Sequence, residues 1–185
     1  RRRYLRPLWC GEEVWCQLFS EPGAGSDLAG LSTRAVLDGD TWIVNGQKVW
    51  TSSAHIADRA IIVLRTDPDL PKHQGLSYFV LDMHDPGVEV RPLRQITGEA
   101  EFNEVFLTDV RVPDGDRLGE VGEGWKVANA TLSNERVAIG GGAFPREFGM
   151  VMKVAETWRT RPELRTPATH DRLLRGWIDT EVARV

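Results

Sequence analysis

The feature that most limits how this chain can fold is a change of rhythm near residue 120. From about residue 13 to 118, short β-rich runs alternate with turn signals. Residues 33–37 and 41–44 flank Asp38-Gly39-Asp40, a hairpin signal, and Asn45-Gly46 reads as a second tight reversal. Residues 14–19 read as a buried strand, and the unbroken apolar run at 60–64 as a central one. Runs at 76–81, 88–90 and 105–112 follow, with a surface loop at 67–75 that contains Pro68 and Pro71. Many short strands at this spacing predict a mostly antiparallel barrel or sandwich.

Beyond residue 120 the pattern becomes helical. Ala128, Leu132, Val137 and Ile139 share one broad helical face. Gly140-Gly141-Gly142 costs about 1 kcal/mol per residue relative to alanine, so it either interrupts the helix or serves close packing. Thr166-Pro167 reads as an N-cap followed by proline at the first helical position, opening a last helix. Residues 1–12 are a basic lead-in containing Pro7. The expected fold is therefore α+β and multidomain. A β-barrel middle domain over 13–119 follows a lead-in at 1–12, and 120–185 begins a helical domain.

One stretch inside the β region cannot be core filling: Phe19-Ser20-Glu21-Pro22-Gly23-Ala24-Gly25-Ser26-Asp27. Its glycines permit positive φ and close approach of a ligand, and exposed amides on such a loop suit anions. It is neither common phosphate motif. A dinucleotide fingerprint needs glycine where Leu28 stands, and a P-loop needs lysine where Leu31 stands.

Composition excludes other classes. The 185 residues carry a formal net charge of −4, which supplies no global field for nucleic acid or a membrane surface. No apolar stretch approaches the roughly 20 residues that span a bilayer. Two cysteines, Cys10 and Cys16, argue against a disulfide scaffold and fit a cytoplasmic setting. His55, His73, His84 and His170 have no ligand-like spacing, so no metal site is expected. There is no Gly-x-Ser-x-Gly elbow for a serine hydrolase.

Glu135 is the most informative candidate for chemistry. Leu132, Glu135 and Ile139 fall at i, i+3 and i+7, which sets a carboxyl along an apolar stripe. Burial there would raise its pKa towards the range of a general base; pairing with arginines at the rim is the structural alternative. Trp50-Thr51-Ser52 closes a strand, where a tryptophan is more often core than ligand contact.

Residues 16–30, from Cys16-Gln17-Leu18-Phe19 through the glycine-rich stretch to Gly30, resemble the signature of the acyl-CoA dehydrogenase family. Ile43-Val44-Asn45-Gly46-Gln47-Lys48-Val49-Trp50-Thr51-Ser52 is a second block. The third is Val105-Phe106-Leu107-Thr108-Asp109-Val110-Arg111-Val112-Pro113, and Gly122-Glu123-Gly124-Trp125 with Asn134-Glu135-Arg136 is the fourth. The four stand in the family's order.

The resemblance implies an FAD-dependent α,β-desaturation of an acyl-CoA thioester, with electrons passed to an electron-transfer flavoprotein. An acyl-CoA oxidase and a non-catalytic partner subunit are the alternatives. Gln17, Leu18, Phe19 and Ser20 would line the flavin ring, Trp50 would pack beside it, and Thr51 and Ser52 would offer donors to its polar edge. Ser26 would reach the CoA pyrophosphate or the flavin side. Asn134 and Arg136 would stand at the acyl-CoA site. Glu135 would be the catalytic base, or the neighbour of a base on a later segment. Ser133 departs from the aspartate that meets the CoA adenine in several relatives. Phe102 and Asn103 receive no role. The family forms dimers and tetramers, so a homo- or hetero-oligomer is expected. The resemblance also implies a helical domain before this region and a longer helical bundle after it.

Overall fold

The computed structural model describes residues 2–140 and 149–184. They divide into two compact units, Arg1–Thr131 and Leu132–Val185. The first opens with α1 (Arg2–Cys10), a helix within the basic lead-in. Tyr4 explains it: its hydroxyl donates to Asp116 and its ring meets Trp15 edge-on at 5.5 Å.

Eight strands follow: β1 (Trp15–Leu18), β2 (Arg34–Asp38), β3 (Thr41–Ser52), β4 (Arg59–Arg65), β5 (Leu76–Asp82), β6 (Val88–Leu93), β7 (Phe102–Pro113) and β8 (Arg117–Leu118). They form one sheet in the order β6-β7-β3-β2-β4-β5-β8, with β1 added on β4. The order is open at both ends, so the strands do not close into the expected barrel. Nor is the sheet purely antiparallel, since β1 and β2 both run parallel to β4. The reason is the long connection at 19–33, which carries the chain across before β2 begins. β6 pairs only with β7 and bears Pro92, a residue that suits an edge strand.

The hairpin at Asp38-Gly39-Asp40 forms as expected, joining β2 to β3. Asn45-Gly46 is instead the middle of a 12-residue strand, at a register shift against β7. The Asn45 amide donates to Asp109 Oδ1 at 3.0 Å and its oxygen accepts from Asp109 N at 2.9 Å, so the dipeptide braces a bulge. Core residues come from alternating positions of these strands. Leu18, Val44, Ile62, Leu64, Phe79 and Val105 are fully buried, each contributing about 1.5–3 kcal/mol by leaving water.

α2 (Gly124–Gly140) begins in the first unit, clamped to β5. A Cβ on Gly124 would lie 2.5 Å from Ser77 Cα, so only glycine allows this approach. Ser77 Oγ accepts from Gly122 N at 3.0 Å, and Tyr78 and Thr131 join hydroxyls at 3.1 Å. The second unit holds α3 (Met150–Thr160) and α4 (Pro167–Arg184). As expected, Thr166 caps α4: its hydroxyl accepts from Thr169 N at 3.2 Å. Gly141, Gly142 and Pro145 lie outside the described residues, as do the side chains of Val137 and Ile139. Among the described residues no helix is long and apolar enough to cross a membrane.

Candidate functional site

The glycine-rich loop is fixed by a pair of residues that sequence reasoning passed over. Lys48 lies on β3 at an inward position, fully buried. Its ammonium donates to Glu21 Oε1 at 2.9 Å, Phe19 O at 3.0 Å and Val63 O at 2.9 Å, so each of its three N–H groups has an acceptor. Glu21, also buried, accepts from Ser32 N at 2.7 Å, Ser32 Oγ at 2.9 Å and Thr33 N at 2.9 Å. One carboxylate thus joins the entry of the loop, its exit and β3. The loop's far end is held by Arg65, which donates to Ala29 O at 2.6 Å and Leu31 O at 3.3 Å. Lys72 reaches both Asp27 oxygens at 2.8 Å from outside.

Burial is the largest influence on both members of the pair. It would raise the Glu21 carboxyl, but Lys48 and the Thr33 and Ser32 donors outweigh it and hold the carboxyl at about 2. It lowers Lys48 to about 8 against the pull of Glu21. The two directions disagree on whether charge is favoured. The geometry supports a charged pair, since every donor and acceptor is matched. The pH dependence follows from Glu21. Its folded value lies below the ordinary 4.5, so its stabilisation is complete above 4.5 and is lost as pH falls towards about 2. The loss is on the order of 3 kcal/mol over that window. Denaturant unfolding followed from about pH 6 down to about pH 2 should show this decline. Glu21→Gln should flatten it; an unchanged slope would contradict the assignment.

Beside this anchor stands a strained corner. Val49 N donates to Ser20 O at 2.9 Å, which brings the end of β1 against β3. A second register shift between β3 and β7 follows, between Lys48 and Thr51. There Trp50 takes φ +60°, in the left-handed region, and Ser53 does the same. Each costs about 1–2 kcal/mol in a residue with a Cβ, and such conformations gather at functional sites. The result is an indole turned outward, 62% exposed, touching Phe102 edge-on at 6.0 Å. Thr51 beneath it is buried, and its hydroxyl has no partner among the described residues.

The structure ties Phe19 and Ser20 to Lys48 and Val49 of β3, the two residues that precede Trp50, Thr51 and Ser52. It gives the residues expected at the flavin different parts. Leu18 and Phe19 are core side chains, Phe19 packing edge-on to Tyr78 at 5.8 Å, so only their backbone is available to a ligand. Gln17 and Ser20 are half-buried and Ser52 is exposed. Ser26 is exposed on the loop. Gly23 and Gly25 do not use the positive φ expected of them, and a Cβ on either would meet nothing within 4 Å. The loop there faces open space. Asn134, Glu135 and Arg136 lie on α2 in the second unit. Glu135 is half-buried, while Asn134 and Arg136 are exposed.

Comparison with known proteins accords with this geometry. Residues 16–110 match the model of the acyl-CoA dehydrogenase middle domain. The chain is 56% identical over 140 residues to acyl-CoA dehydrogenase FadE34 of Mycobacterium tuberculosis, covering 76% of this chain and 20% of that protein. It is 43% identical to acyl-CoA dehydrogenase IpdE1 of the same organism, over 100% of this chain and 48% of the relative. A solved structure described as the Tcur3481-Tcur3483 steroid ACAD superposes with a TM-score of 0.86 at 33% identity, over 98% of this chain and 47% of its own. The chain thus spans half or less of the length of these relatives. With a family model over more than half its residues and relatives this similar, the chain belongs to the acyl-CoA dehydrogenase family.

Proposed function

We propose that the full-length protein uses FAD to desaturate an acyl-CoA thioester between Cα and Cβ, passing the electrons to an electron-transfer flavoprotein. The observation that carries this reading is the outward Trp50 indole, held in a strained conformation next to Val49, whose N–H donates to Ser20 O.

The residues present fit a flavin. Trp50 offers an exposed apolar face, and Gln17, Ser20 and Ser52 offer polar atoms at its edge. The Thr51 hydroxyl is a buried polar atom without a partner among the described residues. Leu18 and Phe19 contribute backbone. FAD bound there would supply the acceptor for the β-hydrogen, leaving as hydride.

Glu135 takes the α-proton as the β-hydrogen departs, a carboxylate doing the work of a general base. Enolate charge at the thioester carbonyl needs donors aimed at that oxygen. Asn134 and Arg136, the exposed residues immediately before and after that carboxylate, and Ser26 on the loop are the candidates for binding the polar CoA portion. The likeness to a steroid ACAD supports trying a thioester with a steroid tail among the substrates.

The test is visible absorption of the flavin-loaded full-length protein, titrated without oxygen against a panel of acyl-CoA thioesters. Bleaching by at least one of them is expected. Colour that persists with all of them would contradict the reading and favour a non-catalytic partner subunit. Glu135→Gln should keep flavin bound and slow bleaching at least about 100-fold. Bleaching at the original rate would move the base to another segment.

A further inference from the structure

We infer that Asn103 and His55 are positioning residues, which hold the Thr51–Ser52 peptide in the orientation the flavin corner requires. The inference rests on the flavin reading above and deepens it.

Asn103 lies on β7, fully buried, at the point where pairing with β3 resumes after the register shift; Thr51 is its partner there. Its side-chain nitrogen donates to Thr51 O at 3.0 Å and reaches His55 Nδ1 at 3.3 Å. Thr51 O can only accept, which settles the amide's orientation, because the amide oxygen placed there would face another oxygen. With the amide nitrogen so directed, His55 Nδ1 stands where it can accept from the amide's other N–H. His55 itself is exposed, on the short 3-10 turn Ala54–Ile56 that follows β3.

The segment so held is the short last stretch of the β3–β7 pairing, beyond the register shift. Trp50 and Ser53, on either side of it, are both left-handed. The ladder is broken on its N-terminal side, and the strand ends at Ser52. Asn103 supplies the restraint. The Thr51–Ser52 peptide is trans. With Thr51 O aimed at the Asn103 amide, the Ser52 N–H points the opposite way. Asn103 thereby sets the direction of a proposed flavin donor from the far side of the peptide. The preceding residue, Phe102, steadies the Trp50 indole by its edge-on contact. Two consecutive β7 residues thus support both parts of the corner, the ring and the donor. His55 closes the arrangement by occupying the second N–H of the Asn103 amide.

The test uses the full-length protein with Asn103→Leu, His55→Leu and His55→Gln. Three quantities are read: the FAD dissociation constant, amide hydrogen exchange at residues 51–53 in flavin-free protein, and the unfolding midpoint. His55→Leu should weaken FAD binding about three- to tenfold and speed exchange at 51–53 with no change in midpoint, since the residue is exposed. His55→Gln, which restores an acceptor, should return both quantities towards the original. Asn103→Leu should have the larger effect; if it fails to fold, His55→Leu decides. Original exchange and FAD affinity in His55→Leu would overturn the proposal. A parent protein that binds no FAD would overturn the flavin reading instead, and the exchange result would still decide the anchoring.

Discussion

Lys48→Met is expected to destabilise the protein by about 3–5 kcal/mol, more than any other single change to the loop. Methionine matches the lysine stem in length and shape, so little packing is lost. What goes is the ammonium and its three hydrogen bonds to Glu21, Phe19 O and Val63 O. Glu21 is then left as a buried carboxylate facing only Ser32 and Thr33. It can keep its charge at a desolvation cost or take up a proton and lose strength as an acceptor. Either course loosens both ends of the glycine-rich loop together. Equilibrium denaturation of the full-length variant measures the loss. A change below about 1 kcal/mol, the range of a surface ion pair, would contradict the anchoring role.

Gly46→Ala should cost about 3 kcal/mol, for two separate reasons. Gly46 has φ +153°, which residues with a Cβ rarely adopt, and a Cβ there would lie 2.6 Å from Thr33 Cγ2 and 2.8 Å from Thr33 Cα. Backbone strain contributes about 1–2 kcal/mol and overpacking about 1–3 kcal/mol. Thr33 cannot retreat without disturbing its N–H donation to Glu21, so the two largest effects meet at the same carboxylate. Gly23→Ala is the control. A Cβ at Gly23 meets nothing within 4 Å, so its effect on unfolding should stay within about 0.5 kcal/mol. Equal losses at the two glycines would refute this distinction.

The same two positions show what a sequence reveals and what it conceals. Local signals held where local chemistry decides. The Asp38-Gly39-Asp40 hairpin, the apolar β4 and the Thr166-Pro167 cap all stand as read. Asn45-Gly46 carries the same local signal as a hairpin turn. Here its geometry is set by Asp109, 64 residues away, and by the approach of Thr33. Parallel pairing of β1 and β2 with β4 was likewise hidden, because the connection at 19–33 gives no sign of its direction.

In the candidate site, Trp50 and Ser20 were found through motif resemblance rather than any property of the residues. Periodicity could have found Lys48. Trp42, Val44, Gly46 and Lys48 alternate along one strand, and a lysine on the inward side of such a row demands a buried acceptor. Glu21, beside Pro22 in the loop, was the available carboxylate. Nothing local pointed to Asn103 and His55, whose roles depend on a register shift between distant strands.

If the strained conformation of Trp50 serves the proposed flavin, Trp50→Gly separates strain from contact. Glycine adopts φ +60° freely and the exposed indole buries little, so folding stability should hold steady or rise by up to about 1 kcal/mol. FAD titration of the full-length variant should nonetheless show binding weakened at least about tenfold. A glycine variant that binds FAD as tightly as the parent would show that the indole does not serve the ring, and the account would fail.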